Sequence, residues 1–185
     1  ADTRLMIKLL NDLGIKSKWK NGYINFNGMA QKDEASYELV RQMRASILIL
    51  GPLLASKGSA KVPLPGGCAI GSRPIDLHVM VMEALGANIK FDSGFIVGSV
   101  PSEGLRGGKI NFPKISVGAT ESAIMTAVLA KGQTIISNAA QEPEIVDIVT
   151  CLNKAGANIV GEGSNTIIIN GCLLYTSDAA DDLVC

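Results

Sequence analysis

Three stretches of the chain carry one pattern of apolar and polar positions. LLNDLGIKSKWKNGYINFNG, VMEALGANIKFDSGFIVGSV and CLNKAGANIVGEGSNTIIING each read as a helix end, a glycine stop, a short strand, a turn and an alternating strand. The stops are Gly14, Gly86 and Gly156, spaced by about 70 residues. That period exceeds the roughly 20–50 residues of stacking repeats and predicts a small α/β unit used three times. The intervening segments repeat as well. RASILILGPLLASKGSAKVPLPGG and ESAIMTAVLAKGQTIISNAA each read helix, glycine stop, strand, loop. Ile47, Leu50 and Leu54 recur at helical spacing in the first, and Ile124, Ala127 and Val128 in the second. Gly58 and Gly132 are the predicted stops, with KVPL and QTIIS as strands. A further helix is predicted to start near Pro74 and another near Pro143, since proline suits a first helical position. The unit is helix–strand–helix–strand–strand, with crossovers long enough to imply parallel pairings. The pattern holds two full units and the tail of an earlier one, and the fold class is α/β.

Composition narrows the function classes. The 185 residues are 47% apolar and 18% charged, with 17 basic and 17 acidic side chains. This is ordinary globular composition for one domain or part of a larger protein. The balance disfavours a nucleic-acid partner, which calls for a basic excess. The longest apolar run, near SILILGPLLA, falls short of the ~20 residues that cross a bilayer. The four cysteines are Cys68, Cys151, Cys172 and Cys185, without a CxxC pair, and His78 is the one histidine. No metal site is therefore expected, and sparse thiols point to a reducing, cytoplasmic compartment. The opening residues carry no initiator Met and no signal-peptide pattern, and read as the middle of a longer polypeptide. Residues 1–171 form the expected domain. The remainder, 172–185, breaks the pattern: Leu173 to Asp181 back-translate into a transposase-end sequencing adaptor read in frame, so a non-native tail is expected.

Candidate chemistry centres on PLPGGCAIGSRP, from Pro63 to Pro74. Two glycines before Cys68 permit loop excursions. Arg73 and a following helix N-terminus favour a thiolate or a bound phosphate; an inert cysteine in a turn fits the same spacing. GPLLASKGS lacks the glycine and lysine placement of a phosphate loop. His78, inside a helix, suits a structural or surface role. PKISVGATES offers Lys114, Ser116 and Thr120 before a helix, where capping alone accounts for them. Glu142 and Glu144 in QEPEIVD suit the first turn of another helix.

Taken in order, MRASI, LPGGCAIGSRPIDLH, KISVGAT and NAAQEPEIVD resemble the UDP-N-acetylglucosamine enolpyruvyl transferases of bacterial peptidoglycan synthesis, over residues 1–171. The resemblance implies an inside-out α/β barrel of repeated βαβαββ-type units about a pseudo-threefold axis. It also implies two similar domains with UDP-N-acetylglucosamine and phosphoenolpyruvate bound between them, and no metal or organic cofactor. By the same resemblance Cys68 is the general acid toward C3 of phosphoenolpyruvate and the residue alkylated by fosfomycin. Arg44 matches an active-site arginine near the substrates, and Arg73 one at the phosphoenolpyruvate and diphosphate site. Arg73, Pro74, Ile75, Asp76 and Leu77 lie beside the uridine nucleotide, and Lys114, Ile115, Ser116 and Val117 beside its diphosphate. Ile75, Leu77, Ile115 and Val117 also suit core packing, with which backbone contact to a ligand is compatible.

Some of the family's pattern falls outside these residues: an N-terminal Lys-Asn pair, and the second domain that supplies an aspartate base and a further arginine. Two other readings stay open, a non-catalytic nucleotide-sugar-binding paralogue and a relative of the shikimate-pathway transferases, which lack the cysteine loop. The 185-residue chain alone is expected to give no turnover in a steady-state phosphate-release assay. Wild-type-like turnover would overturn that expectation.

Overall fold

A computed structural model describes residues 2–64 and 75–171. The three hairpin stretches form as expected. Helix α1 (Asp2–Asp12) leads to strands β1 (Lys16–Lys20) and β2 (Tyr23–Asn27). Helix α4 (Asp76–Ala84) leads to β4 (Asn88–Asp92) and β5 (Phe95–Ser99). Helix α6 (Pro143–Lys154) leads to β8 (Asn158–Val160) and β9 (Thr166–Gly171). Gly14, Gly86 and Gly156 sit at φ of 104°, 91° and 96°, a region that strains other residues, so these helices stop there. The first two hairpins close through left-handed pairs, Asn21–Gly22 and Ser93–Gly94, the backbone that a two-residue hairpin requires.

Between them lie α2 (Tyr37–Val40), a 3-10 helix (Arg44–Ile49), α3 (Leu50–Lys57), β3 (Ser59–Pro63), β6 (Lys109–Asn111), α5 (Val117–Ala127) and β7 (Gly132–Ser137). The helix expected around Ile47, Leu50 and Leu54 is split. Pro52 lacks the N–H that would bond the Leu48 carbonyl, so the α-helical ladder starts only at Leu50. Gly58 caps α3 at φ 77°. Gly132 does not stop α5, which ends at Ala127; it opens β7 instead. Pro143 is at the first position of α6, whereas Glu142 is the capping residue ahead of the first turn, its carboxylate accepting the Gln141 N–H at 2.8 Å.

Strand pairing departs from the parallel expectation. The sheets run β1-β2, β3-β5-β4 and β6-β7-β9-β8. The crossover through α4 does leave β3 and β4 pointing the same way, but the β4–β5 hairpin folds β5 between them, so both pair antiparallel to it. β7 and β8 flank β9 in the same manner. The parallel strand pair is β6 with β7, joined through α5. A bridge from Glu34 to Lys61 gives the second sheet its counterpart of β6.

The sheets face outward and the helices meet inside. Helix α5 buries Ala119, Thr120, Ser122, Ala123, Ile124, Thr126 and Ala127, a broad face spanning more than half of the cylinder, while Val117, Gly118, Glu121 and Met125 opposite are half-buried. Its partner α6 buries Ile145 and Val149 alone, a single stripe. Close approach at the centre needs small residues. A Cβ on Gly51 of α3 would stand 1.9 Å from the Thr126 hydroxyl and 3.1 Å from Met82 Cε. Thr126 is held in place because it donates to the Ser122 carbonyl at 2.6 Å and contacts Met82 Sδ at 3.7 Å. One glycine thus sets how closely α3, α4 and α5 approach.

Gly51→Ala is therefore expected to destabilise the protein by about 1–3 kcal/mol through overpacking. That outcome opposes the ~1 kcal/mol that alanine normally contributes over glycine in a helix. Urea unfolding checks the sign, and Thr126→Ala in the same chain should shrink the penalty.

Candidate active site at two paired helix ends

Two contacts orient α4 against α5. His78 Nδ1 lies 2.7 Å from Ser122 Oγ, and the Thr126 hydroxyl lies 3.7 Å from Met82 Sδ. Each contact is one turn further along both helices, so α4 and α5 run parallel and their N-termini share one end. That end collects two of the segments singled out in the sequence: Ile75, Asp76 and Leu77 at the start of α4, and Lys114, Ile115, Ser116 and Val117 leading into α5.

Each helix end is fixed by local chemistry. Ser116 caps α5, accepting the Ala119 N–H at 3.3 Å. The Thr120 hydroxyl donates to the Ser116 carbonyl at 2.8 Å and accepts the Ala140 N–H at 3.1 Å, tying the start of α5 to the segment after β7. Asn138, just beyond β7, donates to the Phe112 carbonyl at 2.9 Å and holds the approach from β6. Two parallel N-termini side by side add their positive ends, and their first-turn N–H groups have no partner within the helix, an arrangement suited to an anion.

The other candidates distribute as follows. Asp76 and Lys114 are exposed, and Ile75, Ser116 and Val117 are half-buried. Leu77 is buried in the core. Ile115 is 56% exposed, so core packing does not account for it. Arg44 opens the 3-10 helix with its side chain exposed, and that helix packs against α5. Cys68, Arg73 and Pro74 lie outside the described residues, as does the tail at 172–185. Beside the start of α4 an open apolar hollow of about 460 Å³ is lined by Ile75, Asp76, Val79, Met80, Glu83 and Phe91. Among the described residues no group of three or more His, Cys, Asp or Glu side chains is placed to hold a metal ion, and no helix is long and apolar enough to cross a membrane.

The structural role that the sequence suggests for His78 is consistent with its contact to Ser122, a residue the sequence did not single out. The available signal was matched spacing: His78 and Met82 on one helix, Ser122 and Thr126 on the other, each four apart on otherwise apolar faces. Burial pushes the His78 imidazole below its ordinary pKa, and the Asp76 carboxylate partly opposes this. Glu121 moves upward, first through burial and then through the neighbouring Glu144 carboxylate.

The family model for EPSP synthase (3-phosphoshikimate 1-carboxyvinyltransferase) matches residues 1–177. The chain belongs to the EPSP synthase family. Within this family the chain is 51% identical over 180 residues to a UDP-N-acetylglucosamine 1-carboxyvinyltransferase of Zymomonas mobilis, covering 93% of this chain and 42% of that protein. It is 50% identical over 176 residues to the enzyme of that name from Paracoccus denitrificans, covering 92% and 41%. The chain thus spans well under half the length of these relatives. Among solved structures, the enolpyruvyl transferase NikO from Streptomyces tendae matches with a TM-score of 0.73 at 18% identity, over 92% of this chain and 40% of that one. An EPSP synthase from Acinetobacter baumannii matches at 0.67 and 18%, over 91% and 38%. These two likenesses establish the fold, and the α/β architecture expected of an EPSP synthase relative holds.

The sign of the His78 shift gives a pH dependence. Because its folded pKa is lowered, the unfolded chain binds the proton more readily. The contribution of the neutral ring is complete above the ordinary value of about 6.5 and is lost as pH falls through the folded value. Denaturant midpoints at pH 7.5 and 5.5 should show this loss, and His78→Asn should flatten it. Glu121 has the opposite sign: its cost appears as pH rises through the raised folded value, so Glu121→Gln should raise the midpoint at pH 7 and not at pH 4.

Proposed function

We propose that the protein carrying these residues transfers the enolpyruvyl group of phosphoenolpyruvate to the 3′-hydroxyl of UDP-N-acetylglucosamine. The observation that carries this reading is the 51% identity, across 93% of the chain, to a protein of that activity. The paired N-termini of α4 and α5 support it physically, because a nucleotide diphosphate is the anion such an end accommodates.

The roles follow the residues. The sugar hydroxyl adds to C2 of phosphoenolpyruvate while Cys68 gives a proton to C3, forming a tetrahedral intermediate. Loss of phosphate from C2, with return of a proton from C3, yields the enolpyruvyl ether. A thiol suits the proton transfer because its pKa of about 8.5 lies near neutrality. Arg44 and Arg73 neutralise phosphate and carboxylate oxygens, Arg73 by a guanidinium fork. The 73–77 segment lies along the uridine, and Lys114 to Val117 along the diphosphate. The second domain of the same protein closes the cleft and supplies the base for the 3′-hydroxyl. The setting is the cytoplasm and the first committed step of peptidoglycan synthesis, which ties the activity to cell shape and division and makes Cys68 a target for fosfomycin.

The test is phosphate release by the full-length protein. Release should require phosphoenolpyruvate and UDP-N-acetylglucosamine together, and shikimate 3-phosphate should not replace the nucleotide sugar. Cys68→Ala should lower kcat by roughly 10²–10⁴-fold. Turnover with shikimate 3-phosphate would favour the shikimate-pathway reading. Binding of the nucleotide sugar without any turnover would favour a non-catalytic paralogue.

A further inference from the structure

We propose that His78 is a positioning residue, which through Ser122 holds the starts of α4 and α5 in one register as a single ligand-facing end. This rests on the reading of that end as the nucleotide-sugar site, and it names a residue pair behind the contact segments.

The argument begins with the hydroxyls of α5. Thr120 and Thr126 each donate to the carbonyl four residues back, those of Ser116 and Ser122. This is the default for a hydroxyl inside a helix. Ser122 stands between them, is 1% exposed, and does otherwise: its Oγ meets His78 Nδ1 across the helix interface at 2.7 Å. The local carbonyl partner, that of Gly118, is forgone for one on another element 44 residues away. The imidazole also lies along the first turn of α5, since a carbon built on Gly118 would come within 3.5 Å of Cε1 and 3.7 Å of Nε2. His78 is three residues from Ile75 and one from Leu77, so whatever fixes its ring fixes the start of α4. The second contact between these helices, Thr126 with Met82, is a weak sulfur contact one turn further on. It leaves His78–Ser122 as the polar bond that sets the rotation of α4 against α5 near the ligand-facing end.

A consequence separates positioning from simple support. If the ring is removed, the Ser122 hydroxyl can turn back to the Gly118 carbonyl, so no buried polar group is stranded. Stability should then change little, while the alignment of the two helix ends is lost. Misplacement by about 1 Å can cost on the order of 10²-fold in a preorganised site, and a shift below that should cost ~10-fold.

The experiment uses the full-length protein and compares His78→Phe, Ser122→Ala and the double variant, with His78→Asn as the conservative replacement. Each single variant should raise KM for UDP-N-acetylglucosamine about 10-fold while kcat changes less than about 3-fold. The double variant should be no worse than either single one, because both remove the same bond. His78→Asn, whose amide can still reach Ser122, should recover part of the affinity. A KM unchanged by His78→Phe, or additive effects in the double variant, would overturn the inference. If His78→Phe does not fold, the same cycle is run between His78→Asn and Ser122→Ala, where additivity again overturns it. Wild-type turnover is measured first: its absence removes the functional reading, whereas its presence with unaffected variants removes only the role given to His78.

Discussion

The close approach of α3, α4 and α5 at Gly51, Thr126 and Met82 is the constraint on which the rest of the molecule depends. A helix with so broad a buried face can be approached closely only where its side chains are small, and α5 accordingly carries alanine, serine and threonine, with Ile124, among its buried positions. Each hydroxyl placed there must find a hydrogen-bond partner inside the protein. Thr120 and Thr126 find theirs on their own helix, and Ser122 finds His78 on the next. Tight packing and internal hydrogen bonding are thus one solution to one problem, the burial of a helix between outward-facing sheets.

That packing also sets two helix ends side by side. Because α4 and α5 lie parallel, the ends that carry first-turn N–H groups fall together, and Ile75–Leu77 lies at the same end as Lys114–Val117. An antiparallel pair would set the positive end of one helix against the negative end of the other and cancel much of the field. The two helices play the same part in their units: each connects two strands of one sheet that point the same way.

What could be read from the sequence was what local chemistry decides. The stops at Gly14, Gly86 and Gly156, the alternation in β2, β5 and β9, and Pro143 at the start of α6 are each determined within a few residues. What could not be read was determined over long distances. Nothing near β3 announces that β5 will lie beside it in place of β4, and β6 is three residues long, too short for a period to show. The split at Pro52 was visible in principle, since a missing donor has a definite position, but the strength of the apolar pattern around it hid the break. In the site, the segments around Ile75 and Lys114 were singled out through family resemblance. His78 reads from the sequence as structural or surface, but its partner Ser122 lies on another element, and a solitary histidine in a helix has no periodic signature that would name it.

The repeat has a consequence for how this molecule comes apart. In a linear array each unit touches its neighbours alone, and units can melt one at a time. Here the units share an interior: α5 belongs to the third unit yet is enclosed by α3 and α4 of the second. Neither unit can open without exposing the other's buried helix to water. The three-fold repetition visible along the chain therefore does not translate into independently melting parts, and unfolding of the second and third units is one cooperative event.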